Sequence, residues 1–99
     1  MDLKKDYQNA IEKILLKNEI NYKKELLSKV TYNNEEVGKG FLDFLIDNKI
    51  VVEIKNGDKF RRANMEQIYN YLKSENKKLG LLINIGAKEI KFKRILSIK

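Results

Sequence analysis

Residues 79–86 read LGLLINIG, a short apolar run bounded by glycines. A run of that kind suits a strand covered on both faces, and such a strand lies inside a sheet with helices packed against it. The rest of the chain supplies the layers. Residues 2–18 carry Leu3, Tyr7, Ala10, Ile11, Ile14 and Leu15 at helical spacing, with Asn18 as a stop. Residues 61–76 repeat the pattern with Met65, Ile68, Tyr69 and Leu72. Residues 20–33 are strand-like, and NNEEVGKG after them reads as a polar turn. Residues 40–46 and 50–55 form a hairpin, and residues 90–97 alternate as an edge-like strand. The expected order is α-β-β-β-α-β-β, an α/β (α+β) mixed sheet flanked by helices, in a single domain over residues 1–99.

The hairpin, FLDFLIDNKIVVEIK over residues 41–55, places charges inside apolar runs. Charges in such a place need partners, a cation or an exposed edge. Alternation puts Val51, Glu53 and Lys55 on one face of their strand. With a three-residue loop, Asp47-Asn48-Lys49, paired positions sum to 96 and Asp43 falls opposite Glu53. Opposed side chains have Cβ atoms about 4.5–5.5 Å apart. Two carboxylates at that distance repel unless a cation bridges them. Two carboxylates with an adjacent lysine suit phosphodiester hydrolysis, in which a metal polarises the phosphoryl oxygen and acidifies a water. The carbonyl of Ile54 offers a further ligand. Lys55 would position the attacking water, neutralise charge in the transition state, or act as a base. The same residues would also suit an edge hairpin with solvated charges.

Composition narrows the chemistry. The chain has no histidine and no cysteine. That excludes histidine-based triads, thiolate zinc sites and disulfides. Carboxylate oxygens remain, and they suit Mg²⁺ or Mn²⁺. With 42% hydrophobic and 35% charged residues the chain reads as globular. Its net charge is +7, with 18 lysines against 3 arginines. A basic surface favours polyanions. No run approaches a membrane span, and the first residues lack an apolar signal core, so a cytoplasmic protein is expected.

Several blocks together resemble the GxxExxY family, a branch of the PD-(D/E)XK nucleases. They are GFLDFLIDNKIVVEIK, EQIYNYLK over residues 66–73, and LGLLINIG, in the same order and at compatible spacing. The resemblance implies a restriction-endonuclease-like core. It implies Asp43 and Glu53 as metal ligands, Lys55 as the catalytic lysine, and Gln67 as a polar helix residue near the scissile phosphate. Tyr7 matches the family's tyrosine. Lys4 then stands at the glutamate position, and the glycine position falls before Met1, so the chain reads as shortened at its start.

Lys59, Arg61 and Arg62 lie at the start of the second helix, where they could grip phosphates. Cations there oppose the helix dipole, so helix stability does not account for them. The function expected is a Mg²⁺- or Mn²⁺-dependent nuclease acting on DNA, alone or as a homodimer. The alternatives are an impaired nuclease-fold module that binds nucleic acid, and a structural or interaction protein.

Overall fold

Helix α1 (Leu3–Lys17) opens where the Asp2 side chain accepts the Lys5 N–H at 3.2 Å, an N-cap bond, in this computed structural model, which describes residues 2–98. Asn18 ends it, its backbone N–H donating to the Ile14 carbonyl and the following Glu19 N–H to the Leu16 carbonyl. Then come β1 (Tyr22–Tyr32), β2 (Glu35–Ile46), β3 (Ile50–Asn56), α2 (Arg62–Ser74), β4 (Leu79–Ile85) and β5 (Ile90–Leu96). The order is the one expected from the sequence. The five strands lie in the spatial order β1-β2-β3-β4-β5. Only β3 and β4 run parallel, with α2 as the crossover between them. β4 is an interior strand, as its apolar run requires.

The β2–β3 register is Phe44↔Val52, Leu45↔Val51 and Ile46↔Ile50, so partners sum to 96 around Asp47-Asn48-Lys49. Asp47 and Asn48 take φ of 53° and 55°. Asp and Asn enter this left-handed region more readily than most residues.

NNEEVGKG, expected as a turn, is mostly strand. The turn is Asn33-Asn34 alone, with φ of 51° and 66°. Two central residues with positive φ match the twist of a two-residue hairpin, and asparagine favours that geometry. β2 therefore begins at Glu35 and pairs with β1 along an exposed stretch.

Each sheet face carries one helix. On the α2 side the core is Leu26, Leu42, Leu45, Val51, Ile68, Leu72 and Leu82. A side chain at Gly80 would collide with Ile68, so glycine there lets α2 approach β4 closely. On the α1 side Leu15, Phe44, Val52, Ile54 and Ile85 are buried, with Ile11 packed against them. The apolar stripe expected on α1 is only partly the inward one, since Leu3, Tyr7 and Ile14 are exposed. Lys4, Gln8, Ile11 and Leu15, spaced by four, three and four, reach the sheet, and beside them Glu12 accepts the Tyr22 hydroxyl of β1 at 2.6 Å. That stripe is polar at its N-terminal end and apolar at its C-terminal end. Among the described residues no helix is long and apolar enough to cross a membrane.

Candidate active site

β2 changes face at Asp43. Leu42 joins the α2-side core, yet Phe44, two residues on, joins the α1-side core. A regular strand would send both the same way. The neighbouring strand is irregular at the same level. Lys24 pairs with Phe44 and Leu26 with Leu42, while Glu25 between them takes φ of 56°. On the other side the β2–β3 ladder stops at Phe44↔Val52.

Beyond that point side chains take over the role of backbone carbonyls. The Asp43 N–H donates to Glu53 Oε1 at 3.1 Å, and the Ile54 N–H donates to Asp43 Oδ2 at 2.7 Å. The two carboxylates expected to oppose each other are thus brought together in the fork where β2 and β3 part. Their side chains are 9% and 1% exposed. Burial pushes the Glu53 carboxyl up to about 7, and the neighbouring Asp43 carboxylate adds to the rise. The Lys4 and Lys55 ammonium groups pull the other way without cancelling it.

Two lysines flank the pair. Lys55 Nζ is 3.3 Å from Glu53 Oε2, with the lysine side chain 37% exposed. Lys4, in the first turn of α1, places Nζ 3.4 Å from Asp43 Oδ1 and 4.0 Å from Glu53 Oε2. The Gln8 amide, one turn further along α1, donates to Asp43 Oδ1 at 2.7 Å. A pocket of about 210 Å³ opens on the Asp43–Gln8 side of the pair and is lined also by Asp2, Lys5, Glu12 and Lys24, among others; Lys4, Glu53 and Lys55 do not line it.

Sequence reasoning missed Gln8. The signal for it was the spacing, since Gln8 and Lys4 continue the stripe of Ile11 and Leu15 toward the helix start. It also missed Asn84, the register partner of Lys55 on β4. Buried Asn84 donates to the Lys59 carbonyl at 2.6 Å, which ties the basic loop to the strand beside Lys55.

Gln67 is buried on α2, where its amide donates to Ser28 Oγ on β1 at 2.6 Å. Among the described residues no hydrogen bond joins it to Asp43, Glu53 or Lys55. Lys59, Arg61 and Arg62 are all exposed. Arg61 is the N-cap residue of α2 and makes no side-chain cap bond. Arg62 Nε is engaged by Glu66 at 2.7 Å, one turn along the same helix.

The family model of the PD-(D/E)XK nuclease superfamily matches residues 3–95. The chain belongs to this superfamily. The match takes in α1, the hairpin and most of β5, so the fork lies inside it. Among solved structures, this PD-(D/E)XK chain is similar to the crystal structure of SSO0001, with a TM-score of 0.64 and 22% identity. The similarity covers 98% of this chain and 51% of that one, so the chain spans about half the length of the structure it matches. At that identity the likeness speaks for the fold. No curated protein matches the sequence.

PD-(D/E)XK folds imply a divalent metal, and Glu53 Oε2 tests whether these residues fit one. That oxygen is shielded from solvent and accepts no hydrogen bond. A buried carboxylate oxygen without a donor is an acceptor suited to a cation. Two hard carboxylates also match the oxygen preference of Mg²⁺ and Mn²⁺. The donor set is small, since no cluster of three or more metal-ligating side chains occurs among the described residues.

Proposed function

We propose that this PD-(D/E)XK chain hydrolyses phosphodiester bonds in DNA with the help of Mg²⁺ or Mn²⁺, and that it belongs to the GxxExxY branch. The observation that carries the reading is the fork. Asp43 and Glu53 meet through the Asp43 N–H at 3.1 Å, and Lys55 Nζ stands 3.3 Å from Glu53. A buried carboxylate pair beside a half-exposed lysine is expensive to maintain for stability alone.

Asp43, Glu53 and the Ile54 carbonyl would hold the metal. When bound, it would supply charge to polarise a phosphoryl oxygen and to acidify a water. The Ile54 N–H fixes Asp43 Oδ2 and the Asp43 N–H fixes Glu53 Oε1, so each carboxylate is oriented in advance. Lys55 reaches solvent on one side and Glu53 on the other, which suits an ammonium that orients the attacking water or meets charge on the phosphate. Lys59, Arg61 and Arg62 would hold the flanking phosphates. Gln67, bonded to Ser28, would act by seating α2 against β1, which keeps that basic helix start in place. A cytoplasmic setting and a homodimer belong to the same reading.

Lys4 favours a second reading, a module that binds nucleic acid without cutting it. Its ammonium lies 3.4 Å from the carboxylate that would hold the metal. Incubating labelled single-stranded, duplex and branched DNA with Mg²⁺ or Mn²⁺ separates the two. Cleavage by the parent, lost in Asp43→Asn, in Lys55→Ala and in chelator, supports the nuclease. Salt-dependent binding without cleavage supports the module.

A further inference from the structure

Lys4 occupies a position that helix physics disfavours. It lies in the first turn of α1, where the exposed backbone N–H groups already carry partial positive charge. Lys5 follows it, so two cations crowd the positive end of this helix. Helix stability therefore does not explain a lysine at this position. Its contacts do. Lys4 is the third residue of the inward stripe, counting back through Gln8 from Ile11, so its side chain is directed at the sheet and is only 25% exposed. It ends between the carboxylates, 3.4 Å from Asp43 Oδ1 and 4.0 Å from Glu53 Oε2.

The surrounding oxygens make this arrangement specific. Asp43 Oδ2 is taken by the Ile54 N–H, and Glu53 Oε1 by the Asp43 N–H. The oxygens that take no backbone N–H are Asp43 Oδ1 and Glu53 Oε2; both lie within 4.0 Å of the Lys4 ammonium, and Lys55 Nζ faces the second of them at 3.3 Å. The Gln8 amide steadies the first of them at 2.7 Å. Glu53 Oε2 is shielded from water and accepts no hydrogen bond, so a positive charge is its only source of compensation.

We propose that Lys4 is a tethered counter-cation that competes with a divalent metal for Asp43 Oδ1 and Glu53 Oε2. The inference rests on the reading of these two carboxylates as the metal seat. In the metal-free chain the Lys4 ammonium compensates the paired carboxylates from the Asp43 side, while Lys55 does so from the Glu53 side. A divalent ion enters only by displacing Lys4, and the side chain has solvent on one flank into which it can swing. The chain thus sets its own metal threshold by way of one residue of α1.

The test is Mn²⁺ binding, followed by calorimetry and by the loss of the free-ion electron paramagnetic resonance signal, with no nucleic acid present. The parent, Lys4→Gln, Lys4→Arg, and Lys4→Gln combined with Asp43→Asn are compared at equal ionic strength. Lys55 still faces Glu53 Oε2 at 3.3 Å when Lys4 is replaced, and a thermal melt of each variant establishes that it is folded before binding is read. Removing a unit charge a few ångströms from a divalent ion tightens Mn²⁺ binding by about tenfold or more in Lys4→Gln. Lys4→Arg keeps the charge and binds as weakly as the parent. Adding Asp43→Asn abolishes the gain. Equal affinity in parent and Lys4→Gln overturns the competition while leaving the metal seat standing. No Mn²⁺ binding by either, at millimolar ion, overturns the competition together with the metal seat on which it depends.

Discussion

The Asp43 amide donates to the Glu53 carboxylate at 3.1 Å, while the Asp43 carboxylate accepts the Ile54 amide at 2.7 Å. The pair therefore belongs to the strand pairing as well as to the candidate site. Asp43→Ala strands the Ile54 N–H and the Gln8 amide in a poorly hydrated place. A buried donor without an acceptor costs about 1–3 kcal/mol, and relief of the repulsion with Glu53 offsets part of that. Asp43→Ala should lower the unfolding free energy by about 1–2 kcal/mol in urea titrations, whereas Asp43→Asn, which keeps a carbonyl oxygen, should lose less than half as much. Equal losses in both would mean that the Ile54 bond contributes little.

Glu53 gives the chain a pH dependence of definite sign. Its carboxyl is raised from 4.5 to about 7 by burial and by Asp43. Across that interval the folded chain binds more protons than the unfolded one, so stability falls as pH rises. The contribution is complete below pH 4.5 and is lost as pH passes about 7. Its ceiling is on the order of 3 kcal/mol. With chelator present, the urea midpoint should drop more for the parent than for Glu53→Gln between pH 5 and pH 8. Parallel pH profiles for the two chains would remove Glu53 as the source.

Much of this arrangement was legible in the sequence, and the physical reason differs by element. The β2–β3 register followed from apolar runs on either side of Asp47-Asn48-Lys49, because a one-residue slip would have turned Val51 and Leu45 away from the core. β4 was legible because both its faces are covered. The start of β2 was not. Glu35–Gly40 carries no apolar alternation, and it is a strand because its backbone pairs with β1, a non-local cause. The Asn33-Asn34 pair was the only local sign of that hairpin. The positions of Lys4 and Gln8 were legible only in part. Helical spacing put them on the face of Ile11 and Leu15, but an apolar stripe through Leu3 and Tyr7 competed with it, and the distance to Asp43 is a tertiary fact.

Gln67 separates a seating role from a role at the phosphate. Its amide is held by Ser28 at 2.6 Å, and a Cβ built on Gly40 would lie 2.9 Å from that amide and 3.3 Å from Val30 Cγ2. Nε2 is the far end of the glutamine side chain and can draw aside, but only by weakening its bond to Ser28, so Gly40→Ala costs about 1 kcal/mol, the order of that hydrogen bond. Combining it with Gln67→Ala should recover part of the loss, which two independent sites would not do. If Gln67 only seats α2, Gln67→Ala should lower the melting temperature yet leave the cleavage rate per folded molecule within a few-fold of the parent. A rate loss of a hundredfold at a temperature where the variant is fully folded would place Gln67 at the phosphate instead.

The three basic residues before and at the start of α2 should contribute unequally to DNA affinity. Arg62 is already paired with Glu66 at 2.7 Å, so a phosphate must compete with that carboxylate. Lys59 and Arg61 make no ion pair among the described residues, and Asn84 anchors the Lys59 backbone beside Lys55. Each phosphate contact contributes a slope of about 0.9 to the fall of log affinity with log salt on duplex DNA. Lys59→Ala combined with Arg61→Ala should therefore flatten that slope by about two, with binding weakened alike across sequences. Arg62→Ala should change it by well under one, and Glu66→Gln, which frees the guanidinium, should steepen it. Anisotropy titrations of labelled duplex at several salt concentrations read each slope directly. An Arg62→Ala effect as large as that of Arg61→Ala would show that the Glu66 pair opens freely on binding. Unchanged slopes in all the variants would move the phosphate track off this loop.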